Sequence, residues 1–97
     1  MPDRASARAL ARALVEARLA ACVSIGAPAE SLYHWRGEIE TAREVPVAIK
    51  TRTERYAEVE AFIVARHPYE LPEILGVPLA HGLPGYLDWI GTETAGG

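Results

Sequence analysis

The chain has 97 residues, 49% of them hydrophobic and 24% charged, with a formal net charge of −3. That length bounds it to one small domain, residues 1–97, with a modest core for which self-association is a common remedy. The negative balance argues against a nucleic-acid binder, which must neutralise phosphates, and no apolar run approaches the roughly 18–20 residues that a membrane span needs.

From the N-terminus, which shows no signal-peptide pattern, residues 3–19 read as a helix. Asp3 is placed to cap it, and Ala7, Leu10, Ala11, Leu14 and Val15 recur at helical spacing as its apolar stripe. Arg4, Arg8, Arg12 and Glu16 fall four apart on the other face, which reads as a solvated surface. A strand follows over 19–25, apolar enough to be buried on both sides. Within it lies Cys22, the one cysteine of the chain. A lone cysteine excludes an internal disulfide and fits a reducing compartment, so the expected location is cytoplasmic.

Residues 31–35 alternate, with Tyr33 and Trp35 on one face and Leu32 and His34 on the other. Arg36-Gly37 suits a tight hairpin turn, and Glu38-Ile39-Glu40 begins the return. Val45, Val47 and Ile49 alternate in a further strand reaching Lys50, with Pro46 confined to an edge, bulge or strand start. Residues 52–67 read as a second helix, with Thr51 and Glu54 at capping-box spacing and Tyr56, Val59, Phe62 and Ile63 as its buried stripe. Pro68 ends it, because helix is disfavoured at the residue before a proline. Residues 74–79 read as a last strand. Residues 86–90 read as a short helical turn with Tyr86, Trp89 and Ile90 on one side.

The order implies an α+β domain with helices on one face of a largely antiparallel sheet. It is a ferredoxin-like split βαβ pattern, βαββαβ, without an opening strand.

Most chemical signatures are absent: P-loop, GxGxxG, CxxC, HExxH and nucleophile elbow. His34, His67 and His81 lie too far apart for a local zinc site. The densest chemistry is the run His67-Pro68-Tyr69-Glu70-Leu71-Pro72-Glu73-Ile74. Imidazole with carboxylates suits divalent transition metals, copper near the top of the affinity order, so His67 is a candidate ligand. The residue types by themselves favour the plainer reading, a C-terminal cap of the second helix bonded to helix carbonyls or to a carboxylate. Glu70 and Glu73 have no nucleophile or cofactor motif near them, so no enzyme is expected. Tyr33, Trp35, Tyr86 and Trp89 are candidates for a subunit interface.

Taken together, Leu19-Ala20-Ala21-Cys22-Val23, Leu32-Tyr33-His34-Trp35-Arg36-Gly37-Glu38, Ile49-Lys50-Thr51, His67-Pro68-Tyr69-Glu70 with Pro72-Glu73-Ile74, and Tyr86-Leu87-Asp88-Trp89 resemble the CutA family of divalent-cation tolerance proteins. The resemblance spans nearly the whole chain. It implies a ferredoxin-like subunit, a homotrimer similar in architecture to PII signalling proteins, and a role in tolerance of divalent metals, copper foremost. The PII likeness offers an alternative function, a signalling or scaffold trimer with a small ligand in its intersubunit clefts. Lys50, His67, Tyr69, Glu70 and Glu73 are the cleft candidates.

The chain departs from the family in two respects. Members begin with a strand ahead of the segment that here reads Met1-Pro2-Asp3, so the expectation is a late start or a neighbouring chain in that strand's place. The copper site attributed to some relatives uses a cysteine ending that strand and two adjacent histidines. Here the first histidine position is Arg66, no practical ligand, and only His67 matches.

Overall fold

A computed structural model describes residues 1–95. In chain order it contains α1 (Arg4–Glu16), β1 (Cys22–Ile25), β2 (Ala29–Trp35), β3 (Glu38–Glu44), β4 (Val47–Lys50), a 3-10 turn (Thr53–Arg55), α2 (Tyr56–Arg66) and α3 (Pro84–Glu93).

Asp3 caps α1 as its position predicts, its carboxylate accepting from the Ser6 amide at 2.7 Å. That hydrogen bond holds the Asp3 carboxyl below its usual range. The helix stops at Glu16, three residues short of the expected 19. The Leu19 amide reaches back to the Leu14 carbonyl and the Arg18 amide to the Val15 carbonyl, both 3.1 Å. This is a Schellman closure, and its left-handed position is held by Arg18 at φ 58°. Glycine usually signals that stop, so the sequence masks it. Leu19 and Ala20 are spent in the closure and buried beneath α1, and β1 begins only at Cys22. Of the expected stripe Ala7, Leu10 and Leu14 are buried, whereas Val15 is exposed.

The four strands form two antiparallel pairs, β1 with β4 and β2 with β3. They are one ribbon interrupted once. Cys22 faces Lys50 and Ile25 faces Val47, and then Ala29 faces Glu44. Between those pairings three residues, 26–28, lie against two, 45–46. The mismatch is a bulge. It carries Pro46 just ahead of β4, where a missing N–H is harmless, and the Gly26 amide donates to the Pro46 carbonyl at 2.9 Å. At the far end Arg36 and Gly37 have φ 52° and 83°. A two-residue type I′ turn requires both to be positive.

The second helix is shorter than 52–67, because its first turn is 3-10 and α2 proper spans Tyr56–Arg66. The Thr51/Glu54 capping box does not form. The Thr51 hydroxyl instead donates to the Leu19 carbonyl at 2.7 Å, tying the end of β4 to the loop after α1. Val59 and Ile63 are buried with Leu10, Leu14, Leu19 and Ala20, and Phe62, Ile49 and Ile74 pack around them.

The expected strand over 74–79 is not a strand. Residues 72–79 run without turn or bend, yet among the described residues they pair with no strand. A strand needs a neighbour at hydrogen-bonding distance. Among the described residues the backbone pairing on this side, just ahead of β4, is at Met1, whose amino group and carbonyl bond Val45 at 3.1 and 2.7 Å.

The closing turn expected at 86–90 is a ten-residue helix, α3. Its end is pinned by two arginines. Arg52 Nε donates to Thr94 Oγ1 at 2.9 Å and Arg52 Nη2 to the Thr94 carbonyl at 2.7 Å. Arg55 Nε donates to the same carbonyl at 2.9 Å. Carbonyls at a helix C-terminus lack intrahelical donors, and cations suit that end.

Candidate functional site

His67 is the first residue after α2. Pro68 forces it out of helical geometry, to φ −79° and ψ 137°, while its amide still donates to the Ile63 carbonyl. Its side chain makes no bond to a helix carbonyl. Nδ1 instead accepts from the Tyr69 amide at 3.1 Å, and the two rings meet at 4.7 Å between centroids. An accepting Nδ1 fixes the neutral tautomer with its proton on Nε2. Burial pushes the imidazole below its ordinary 6.5, reinforced by the Met1 ammonium and opposed by Glu44. Burial likewise raises the Tyr69 phenol, with Glu44 and Tyr33 adding to the effect.

The imidazole lines a cleft of about 310 Å³ together with Glu44, Glu73, Ser31 and Met1. Glu73 therefore lines the same cleft as His67. Glu44 was not anticipated. The signal was available, because the register puts Ala29 opposite Glu44 and Tyr33 opposite Glu40, so Glu44 shares the face of Tyr33 and Trp35. The other cleft candidates go elsewhere. Lys50 Nζ donates to Ser24 Oγ at 3.0 Å across the β1–β4 pair. Glu70 takes an ion pair with Arg36 at 2.7 Å and ties the connector to the hairpin turn. Neither lines the His67 cleft.

No group of three His, Cys, Asp or Glu side chains that could hold a metal ion occurs among the described residues. Metal on His67 Nε2 would move the proton to Nδ1, facing the Tyr69 N–H donor to donor. A copper ion held within one copy of the chain does not fit these residues.

The interface candidates are exposed or half-buried. Tyr86 and Trp89 lie against each other on α3 at 5.4 Å, on the helix that buries Ile90. Trp35 is half-buried with the Arg36 guanidinium 5.4 Å from its ring, and Tyr33 is partly exposed. The most open apolar side chains of the hairpin are on its other face, Leu32 at 66% and Ile39 at 68% exposure. Their alternation with Tyr33 and Trp35 was legible, but not which face would be covered.

The family profile for the CutA1 divalent ion tolerance protein matches residues 1–93. The chain belongs to the CutA1 family. It is 42% identical over 94 residues to the divalent-cation tolerance protein CutA of Thermus thermophilus, covering 97% of this chain and 91% of that protein. With the CutA homolog of Xenopus laevis it shares 39% over 90 residues, 93% of this chain and 60% of the longer relative. The solved structure of the periplasmic divalent cation tolerance protein CutA from Archaeoglobus fulgidus superposes with a TM-score of 0.93 at 41% identity, covering 96% of this chain and 90% of that one. These CutA structures bear out the ferredoxin-like α+β expectation. Among the described residues no helix is long and apolar enough to cross a membrane.

Proposed function

We propose that this CutA chain serves divalent-cation tolerance as a homotrimer rather than as a single metal-chelating subunit or an enzyme. One observation carries this. Among the described residues nine hydrophobic side chains are buried, while fourteen large ones are exposed, Leu32, Ile39, Tyr86 and Trp89 among them. Monomeric proteins rarely leave so much apolar surface open, and covering it with further copies removes it from water. In this reading a divalent ion, Cu²⁺ foremost, is met at His67 only where copies adjoin and the Tyr69 amide releases Nδ1. The free thiol of Cys22 supports a reducing compartment such as the cytoplasm.

Titration of the metal-free protein with Cu²⁺ under a competing chelator, beside His67→Ala, tests the metal part. Saturation at a fixed ratio per trimer in the wild type and its loss in the variant are expected. Equal binding by the two proteins, or none by either, would contradict it.

The cleft of His67, Glu44 and Glu73 favours a second reading, a small ligand bound in the manner of PII proteins. That likeness is one of fold. A thermal-shift screen of nucleotides and metabolites separates the two readings, because a ligand stabilises by mass action. Hits confined to metals exclude the small ligand.

A further inference from the structure

The ribbon of four strands turns one face towards the helices and one away from them. Val23 and Ile49 pack against the core, and Ala29, Ser31 and Glu44 line the His67 cleft. Side chains alternate along a strand, so Leu32, His34 and Ile39 lie on the opposite, open face. All three are exposed, whereas Ser31, Trp35 and Ala42 on the inner face are half-buried.

His34 stands in the middle of the apolar part of the open face. The register places Ile39 directly opposite it, and Thr41 opposite Leu32. Opposed side chains on antiparallel strands are roughly 5 Å apart at Cβ and diagonal ones about 7–8 Å. A surface that covers both Leu32 and Ile39 therefore covers the imidazole between them.

The other titratable groups of this face form two opposed pairs, Glu30 with Arg43 and Cys22 with Lys50. Glu30, its one carboxylate, is four residues from His34, about 13 Å along the strand. Glu38 and Glu40 are opposite Trp35 and Tyr33 on the inner face. Arg36 is drawn to Glu70 and the Trp35 ring. Thus two cations and one carboxylate share the open face before His34 is counted, and a copy that docks with the same face brings the same set.

We infer that copies of the chain meet through this open face and that His34 makes their association proton-dependent. The inference rests on the homotrimer reading above and names the control of that assembly. The occupant is a second copy, because Leu32 and Ile39 belong to the apolar surface that the trimer covers. The face also carries no run of like charge to call for an oppositely charged partner. A neutral imidazole is buried there at modest cost. A protonated one is stripped of water among Leu32, Ile39 and Thr41 with no carboxylate beside it on its own strands, and burial disfavours the charged form. Separated copies therefore take up the proton more readily than assembled ones. Association weakens as pH falls through the range in which histidines titrate. A tenfold preference for the proton at one imidazole weakens association by about tenfold, and a trimer holds three.

Sedimentation velocity at micromolar concentration, at pH 8 and pH 5, tests this on the wild type, His34→Leu, His34→Lys and His67→Gln. Far-ultraviolet circular dichroism checks that each is folded. The wild type and His67→Gln are expected to be trimers at pH 8 and to lose association by at least about tenfold at pH 5. His34→Leu is expected to stay trimeric at both values. His34→Lys, charged throughout, is expected to be dissociated at both. A wild type associated as tightly at pH 5 as at pH 8 overturns the inference and leaves the trimer standing. So does a His34→Leu variant that dissociates as the wild type does, or a His34→Lys variant as tightly associated as the wild type at pH 8. A wild type that is monomeric at pH 8 removes the trimer and the inference together.

Discussion

The Tyr69 amide donates to Nδ1 of His67 at 3.1 Å. The bond ties up one ring nitrogen, and burial, reinforced by the Met1 ammonium, holds the imidazole below its ordinary value. Its consequence for pH is definite. The folded state binds the proton less readily than the unfolded state, whose pKa is near 6.5. His67 thus contributes stability above that value, lost as pH falls through 6.5 towards the lower folded-state pKa. Urea unfolding from pH 8 to pH 5 is expected to show this loss, and His67→Gln to reduce the slope. An NMR titration of His67 midway at or above 6.5 would contradict it.

Thr94 is fully buried between Arg52 and Arg55. Thr94→Val keeps the shape but removes the hydroxyl that accepts from Arg52, leaving a half-buried donor short of a partner. The expected cost is about 1–3 kcal/mol in chemical denaturation. Arg52→Ala should cost a similar amount, and the double variant less than the sum, since both changes break one network.

Arg18 stands where glycine is usual, at φ 58°. Arg18→Gly relieves the strain but gives up an exposed ion pair with Glu93 at 3.1 Å, so stability should change by less than about 1 kcal/mol. Arg18→Val has no such relief, because a branched side chain fits the left-handed region worst. Unfolding midpoints of the two variants should separate clearly, with valine the lower.

The Arg36–Glu70 pair is short but lies in solvent, both side chains more than 70% exposed. Glu70→Gln is expected to shift stability by less than about 1 kcal/mol and to lose even that in 1 M salt. A larger loss would mean that the pair is covered in the assembled protein.

Local signals were legible in the sequence and non-local ones were not. The Asp3 cap, the Arg36-Gly37 turn and the stop at Pro68 depend on residues within a few positions of each other, and each is where the chain places it. The end of α1 was hidden because Arg18 occupies a glycine position. The Thr94 clamp joins residues 42 apart, and nothing in either segment announces it. Residues 74–79 have a strand's composition, but strand formation depends on a neighbour, and among the described residues none pairs with them. At the site, Glu73 lines the His67 cleft from the far end of a six-residue connector. Glu44 came from the hairpin, through the register that the two-residue Arg36-Gly37 turn sets.

Sedimentation velocity of the chain at micromolar concentration, beside the Leu32→Glu, Trp89→Glu double variant, tests self-association most directly. The account predicts a trimer for the wild type and smaller species for the variant at unchanged far-ultraviolet circular dichroism. A wild-type chain that sediments as a folded monomer across that range would contradict it.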